Sequence, residues 1–376
     1  MDINELRKKI DEVDSALIQN FEKRMEYVKL IAKYKIKNKL LIFNKEREQE
    51  VIELAISRLK NKSISDESRE FFTSIMDVSK ELQGKILGEE NLKLLRKQGG
   101  RIVYPGVEGS YSGQATKEFF GDDLLIEPAL TFKDVCRQVA DGSAKYGVLP
   151  IENSISGSVL EVVDRIEEYD CHIVGEHKVK IKHCLLGLQQ AEKSDIKIVH
   201  SHPQGISQCK DYILDNGFDV YEEVNTAVAA KKIMQGGDMT KAAIASESAA
   251  KLYGLKIIDY NIQKNSSNFT RFVIIAKEYD KNQQNDKISI SFVVSNQPGS
   301  LYHVLSLFDK LDLNICRLES RPMSEKPWEY KFYLDFNASS FDERINIVFG
   351  QLQLGCGSFR VIGMYKGYEE IKEKSL

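Results

Sequence analysis

Residues 1–104 contain no proline and the first glycine is Gly84, although the whole chain of 376 residues carries 7 prolines and 24 glycines. A stretch so free of helix breakers favours long helices. Along it Ile3, Leu6, Ile10, Val13, Leu17 and Phe21 recur every three or four positions, one face of a helix. Asp2 followed by Glu5 is a capping-box start. The period predicts a first helix to about Lys37, a second over about 45–60, and a third over about 65–82 that reaches toward Arg96. These helices define an all-helical domain over residues 1–90. Its core is thin for its length, and dimerisation would thicken it.

After Gln98-Gly99-Gly100 the texture changes. Short β-rich runs at Arg101–Tyr104, Tyr146–Leu149, Ile196–His200, Ala242–Ala245 and Arg271–Ala276 alternate with helical stretches. That alternation predicts an α/β domain over 101–277 with a mostly parallel sheet. Lys277–Lys287 has no apolar period and reads as a linker. Residues 288–366 then follow the order βαββαβ, a ferredoxin-like module, with a helix opening at Ser300 and strands over Leu313–Glu319 and Glu329–Asn337. The fold class is therefore multidomain, α followed by α/β.

Composition excludes several functions. A net charge of −3 argues against a nucleic-acid binder. No uncharged apolar run approaches the ~20 residues of a membrane-spanning helix. The N-terminus has no apolar signal region, and the 6 cysteines are scattered without a C-x-x-C pair. Reduced thiols in a cytoplasmic protein are expected. His200 and His202 lack partners at ligand spacing, so no metal is expected, and no dinucleotide either, since Gly106, Gly109 and Gly113 have the wrong spacing.

Most charges on the helices have a solvated face as their simplest explanation. Arg7, Arg24, Lys35 and Arg47 stand out. Arg24 and Lys35 lie within about 20° on one helix face and ~16 Å apart, so both can converge on a small ligand. Arg7 is ~25 Å from Arg24 and off that face, so it can serve only a site in a partner chain. The pattern Leu6-Arg7-x-x-Ile10-Asp11-x-x-Asp14, Lys23-Arg24, Ala32-Lys33-x-Lys35, Arg47-Glu48 and Ser79-x-x-x-Gln83 resembles the all-helical chorismate mutases. The resemblance implies an entwined homodimer with Arg7 supplied by the other subunit. Arg7 and Arg24 would clamp two carboxylates with Arg47 beside them, a task suited to guanidinium groups. Lys35 and Gln83 would donate to the breaking ether oxygen. Glu48 would accept from the ring hydroxyl, with Ser79 one turn from Gln83. Asn44 stands where many relatives carry an aspartate.

In the α/β region, four junctions are rich in hydroxyl and amide groups: Gly109-Ser110-Tyr111-Ser112-Gly113-Gln114, Pro150-Ile151-Glu152-Asn153-Ser154, Ser201-His202-Pro203-Gln204 on to Gln208, and Asn225-Thr226-Ala227. Capping explains any one of them, as with the Ser158-x-x-Glu161 box. Four at strand ends point to a ligand site favouring anions. These segments, with Asn268-Phe269-Thr270-Arg271-Phe272, resemble the prephenate dehydratases. The resemblance implies two lobes around a cleft, similar to periplasmic binding proteins. It assigns Thr270 as principal catalytic candidate and Ser110, Tyr111, Asn153, Ser201 and Gln208 to the substrate, with Glu152 adjacent. Thr270 as hydrogen-bond donor and Glu152 as proton source stay open alternatives. Arg271 either binds a carboxylate or pairs structurally.

Gly299-Ser300-Leu301-Tyr302 and Glu319-Ser320-Arg321-Pro322 fall where the family's ACT regulatory domains bind phenylalanine. Ser300 and Tyr302 depart from the usual first motif. The implied protein is a cofactor-free homo-oligomer, dimer or tetramer, that takes chorismate and prephenate and responds to phenylalanine. An arogenate dehydratase, or an inactive amino-acid-responsive binding protein, are the competing readings.

Overall fold

The computed structural model describes residues 2–38, 45–97, 100–121, 123–279, 285–323, 329–339 and 342–368. The chain divides into two compact units, Met1–Lys97 and Gln98–Leu376.

The first unit consists of α1 (Ile3–Lys37), α2 (Lys45–Arg58) and α3 (Ser65–Lys97). Glu5 accepts the Asp2 N–H at 3.2 Å, one half of the expected capping box. The third helix continues unbroken well past residue 82, as the lack of proline permits. Helix α1 behaves as two halves. Met25, Val28 and Ala32 are buried, whereas Ile10 and Val13 upstream remain 58% and 59% exposed on the same apolar period. The stripe legible in the sequence is thus covered only along its C-terminal half by this chain.

The second unit opens with a lobe of β1 (Ile102–Pro105), α4 (Tyr111–Phe120), β2 (Ile126–Ala129), α5 (Phe132–Ala140), β3 (Tyr146–Asn153), β4 (Gly157–Ser158), α6 (Leu160–Glu168) and β5 (His172–Lys180). The chain crosses at Ile181–His183 into a second lobe. Its elements are β6 (Cys184–Gly187), β7 (Ile198–Ser201), α7 (Pro203–Gln208), α8 (Lys210–Asp215), β8 (Asp219–Glu222), α9 (Thr226–Gly236), β9 (Lys241–Ala245), α10 (Glu247–Tyr253) and β10 (Lys256–Asp259). It returns through residues 260–268 into β11 (Phe269–Ala276) of the first lobe. The second sheet has the order β10-β6-β9-β7-β8.

Neither sheet is mostly parallel, contrary to expectation. In each lobe three strands are parallel (β2-β1-β3 and β8-β7-β9), and two more join antiparallel. Connectivity is the reason. Helical crossovers make the parallel pairs, but β11 arrives from the other lobe and enters against β3 and β5.

The C-terminal module is β12 (Lys287–Val293), α11 (Ser300–Lys310), β13 (Ile315–Pro322), β14 (Tyr330–Asn337), α12 (Glu343–Gly355) and β15 (Ser358–Tyr365), in the order βαββαβ. Its strands lie β13-β14-β12-β15, and β15 abuts β5 so that one sheet runs through module and first lobe. That junction is a single parallel pair, Gly363 with Ile173. A Cβ on Gly363 would fall 2.5 Å from Ile173 O, so only glycine lets the strands meet. Tyr333, Ile362 and Tyr365 of the module are buried in the first lobe's core. At the start of the expected linker after Lys277, Tyr279 stacks on His172 with ring centres 3.9 Å apart.

Candidate functional site

In the helical unit the buried half of α1 faces α3. Arg24, Val28, Ala32 and Lys35 succeed one another at helical spacing. The Arg24 guanidinium donates to Ser79 Oγ and lies 3.4 Å from Met76 Sδ. Ser79 Oγ donates in turn to Ile75 O at 2.6 Å, which turns its lone pairs toward Arg24. Ser79 therefore holds Arg24 in place. One turn further on, Gln83 is buried; its Oε1 has no hydrogen-bond partner among the described residues, and its Nε2 makes only a 3.4 Å bond to Ser79 O. An unmet buried amide costs about 1–3 kcal/mol, which a bound ligand can relieve.

Burial lowers the pKa of Arg24 and of Lys35, and nearby Glu48 partly offsets the effect on Lys35. Lys80 lies 3.3 Å from Glu48 and 2.8 Å from Asp77. Burial opposes the Lys80 charge, but the bonds to Asp77 and Glu48 outweigh it and raise its pKa. Lys80 was not legible as a site residue, because nothing at residue 80 announces a partner 32 positions back. The cluster offers two cations, an amide and one anchored carboxylate, which suits a small dianion carrying a hydroxyl.

Other expected residues stand elsewhere. Arg47 is exposed and pairs with Glu50 at 2.8 Å. Arg7 is exposed on the uncovered half of α1. Asn44 lies outside the described residues.

The second cluster gathers where the chain crosses between lobes. Asn153, at the end of β3, is paired in register with Thr270 on β11. Its Nδ2 donates to Asn268 Oδ1 at 2.8 Å and to Thr270 Oγ1 at 3.0 Å. Asn268 Nδ2 donates to Gln208 Oε1 at 2.9 Å, and the same oxygen lies 2.8 Å from His183 Nε2. His183 is buried, which lowers its pKa and keeps the imidazole neutral. As a neutral ring it donates from Nε2, leaving Nδ1 as acceptor 3.3 Å from the Tyr111 hydroxyl. The single Tyr111 hydroxyl proton is directed mainly to Lys182 O, at the shorter distance of 2.8 Å. Each member orients the next. Thr270 Oγ1 accepts from Asn153 Nδ2, which also lies 3.1 Å from Phe269 O, so the threonine's own hydroxyl proton is left for another acceptor.

Loops from both lobes meet here. A Cβ on Gly106, whose φ is +106°, would lie 3.3 Å from Asn225 Nδ2 and 3.6 Å from Ser110 Oγ. Ser110, His202 and Asn225 cap α4, α7 and α9, and Ser246 caps α10 while donating to Gly109 O at 3.1 Å. Gln204 Nε2 reaches Ser156 Oγ at 2.7 Å across the lobes. Ser201 is fully buried and donates to Ile244 O at 2.7 Å, binding β7 to β9.

Glu152 and Arg271 face the other way. Successive strand residues alternate sides, so Glu152 lies opposite Asn153, and Arg271 opposite Thr270. Glu152 accepts from Arg271 Nε at 3.0 Å on that reverse face. Its carboxylate is committed to Arg271 on the face away from the Thr270 side chain. The Arg271 guanidinium also meets Glu176 at 3.0 Å and Asp335 at 2.8 Å. Burial works against its charge, but Asp335 and Glu176 hold it firmly cationic. In this structure the Arg271 guanidinium is engaged by three carboxylates of the chain itself.

In the module, Gly299 takes a left-handed φ of +84° ahead of α11, Ser300 Oγ lies 2.9 Å from Ser295 Oγ, and Leu301 packs on the module's core. Glu319 accepts from Ser158 Oγ at 2.5 Å and Arg321 pairs with Asp164 at 2.5 Å, so both are engaged with the first lobe; Ser320 is exposed. Ser158 is accordingly not a helix cap: Val159 occupies that position without a side-chain bond.

Comparisons with known proteins match both regions of the chain. The model of the family "Chorismate mutase type II" matches residues 6–84, and that of "Prephenate dehydratase" matches residues 102–280. A bifunctional chorismate mutase/prephenate dehydratase of Aquifex aeolicus is 32% identical over 376 residues, covering 97% of this chain and 98% of that protein. The chain belongs to the bifunctional chorismate mutase/prephenate dehydratases. Among solved structures, the prephenate dehydratase of Staphylococcus aureus is 29% identical with a TM-score of 0.64, covering 71% of this chain and 100% of that one. A prephenate dehydratase from Arthrobacter aurescens in complex with L-Phe is 25% identical with a TM-score of 0.65, covering 71% of this chain and 89% of that one.

Within this family frame, sequence reasoning missed two members of the dehydratase cluster. Asn268 lies inside the Asn268–Phe272 segment and was available from it. His183 carries no flanking motif; only the crossing between lobes brings it to Gln208.

Proposed function

We propose that the two clusters are the two active sites of one enzyme of phenylalanine biosynthesis, the α1–α3 cluster forming prephenate from chorismate and the inter-lobe cluster forming phenylpyruvate from prephenate. The first reaction is a pericyclic rearrangement that needs no nucleophile. The protein has to hold the compact diaxial chair and stabilise negative charge on the breaking ether oxygen. Arg24, oriented by Ser79, binds a carboxylate. Lys35 and Gln83 donate to the ether oxygen, and Glu48, anchored by Lys80, accepts from the ring hydroxyl. Arg7 of a second chain completes the charge balance. The exposed apolar period of α1 supports that dimer, since a second copy would cover it.

In the second reaction prephenate loses carbon dioxide and hydroxide, and aromatisation drives the step. Thr270 donates a hydrogen bond to the leaving hydroxyl, and helix N-termini around the cleft favour the dianion. The observation that carries this reading is the bond from Asn153 into Thr270 Oγ1, which leaves the threonine's own hydroxyl proton for another acceptor.

The βαββαβ module is read as an ACT domain that binds phenylalanine between two chains and favours a less active arrangement. Its strand order supports this, as does the Arthrobacter protein's complex with L-Phe. Gly299, Ser300 and Leu301 remain the effector contacts of choice, with Ser320 on the exposed side of the β13 edge. Glu319 and Arg321 act instead as the module's grip on the first lobe.

The test is to supply chorismate to the purified protein and follow prephenate and phenylpyruvate, with and without phenylalanine, offering arogenate in parallel. Phenylpyruvate formed from chorismate, and suppressed by phenylalanine, is the expected result. Chorismate left unconsumed would overturn the mutase reading. Prephenate accumulating while arogenate is consumed would reassign the second site.

A further inference from the structure

We infer that Asp335, in the C-terminal module, is a positioning residue for the dehydratase reaction, acting through Arg271 on Thr270. The inference rests on the reading of Thr270 as the donor to the leaving hydroxyl.

Thr270 and Arg271 are consecutive on β11, so one turns to the reaction site and the other to the opposite face of the sheet. The ladder to β5 runs in register from Phe269 to Ile274, but the ladder to β3 is interrupted at this point. Arg271 pairs with Glu152, but Phe272 pairs with Pro150, so the register slips between them. The extra residue, Ile151, belongs to β3, and on that side the bulge locally disrupts the ladder beside Thr270. The guanidinium supplies what the ladder lacks. Its Nε meets Glu152 on β3 at 3.0 Å, one terminal nitrogen meets Glu176 on β5 at 3.0 Å, and the other meets Asp335 on β14 at 2.8 Å. A planar fork fixed at three nitrogens has one orientation, and it fixes the backbone that carries it.

Of the three acceptors, Asp335 alone comes from outside the dehydratase lobes. It is itself held. Ser289 on β12 donates to its other oxygen at 2.7 Å, and the Ser289 hydroxyl lies 2.9 Å from the Tyr365 hydroxyl on β15. Arg317 on β13 also lies 3.9 Å from Asp335, so residues of all four strands of the module gather around the carboxylate. By contrast, the pairs Lys331–Glu167, Arg321–Asp164 and Arg360–Asp170 tie the module to α6 or the turn after it and never touch β11. Docking and positioning are therefore separable by mutation.

Asp335→Asn keeps shape and volume but removes the charge facing Arg271. We expect it to lower kcat for prephenate by roughly 10- to 100-fold, the scale of a small misplacement of a reacting group. KM should stay within about threefold, because no substrate contact is lost. Lys331→Ala, which weakens docking only, should leave kcat within about twofold. Equal loss in both variants, or an unchanged kcat in Asp335→Asn, overturns the inference. If Asp335→Asn gives no cooperative thermal transition, Ser289→Ala decides by the same measurement: a fall in kcat at steady KM supports the positioning role, and an unchanged kcat refutes it. Thr270→Ala is assayed alongside. Should it retain full turnover, the assignment of Thr270 fails by itself, whatever Asp335 does.

Discussion

The two candidate sites reach their shape by opposite routes. In the helical unit the polar groups are long, charged side chains on few supports, and part of the helix that carries them is uncovered. In the α/β unit they are short, uncharged amides and hydroxyls, each fixed by a neighbour, and every member belongs to one chain. The difference teaches where rigidity comes from. A pericyclic rearrangement needs charge around a compact dianion, and extended arginine and lysine side chains can supply it from helices packed by a second copy. A concerted loss of two leaving groups needs one donor aimed accurately, which calls for a closed hydrogen-bond chain on paired strands.

Single substitutions can break this contrast. Thr270→Ala should lower prephenate turnover by about 10³-fold while chorismate consumption stays unchanged. Joint loss of both activities would show that the two sites are not independent. Gln83→Ala should cost the mutase roughly 10²-fold and spare the dehydratase. Mixing Gln83→Ala with Arg7→Ala chains and allowing exchange should restore mutase activity, since one of the two composite sites would then be intact. No recovery would place Arg7 outside the partner's site. Glu152→Gln should reduce dehydratase kcat by less than about tenfold and leave the acid limb of its pH profile in place. A loss as large as that of Thr270→Ala would return Glu152 to the role of proton donor.

The smallest expected effect concerns pH. His183 has its folded pKa lowered by burial, so between its folded and unfolded values, the latter near 6.5, the unfolded chain binds the extra proton. Stability from this group is therefore complete above about pH 6.5 and declines as pH falls below it. His172 and His202 shift in the same direction, again through burial. Melting temperature between pH 7 and 5.5 should fall less steeply in His183→Gln than in the parent protein. Identical slopes would mean that His183 is not held neutral. Glu176 and Asp335 have lowered pKa values and contribute their own loss only at more acid pH, below the ordinary carboxylate range.

Much of the fold was legible because it depends on local pattern. The proline-free apolar period anticipated α1 through α3, and the change at residue 100 anticipated alternating strands and helices. The hydroxyl-rich junctions were read as helix starts, and three of the four do cap helices. Sheet direction was misjudged, because local runs do not reveal that β11 returns from another lobe.

By itself the sequence determined the elements, their order and the pool of polar residues, because period, capping and turn chemistry act over a few positions. Tertiary structure decided which members of that pool share a side. It set Asn153 with Thr270 and Glu152 with Arg271 on opposite faces of the same two strands, and it brought His183 to Gln208 and Asp335 to Arg271. The physical reason is that hydrogen bonds and ion pairs act over about 3 Å, a distance that only chain crossing and strand register can close between residues far apart in sequence.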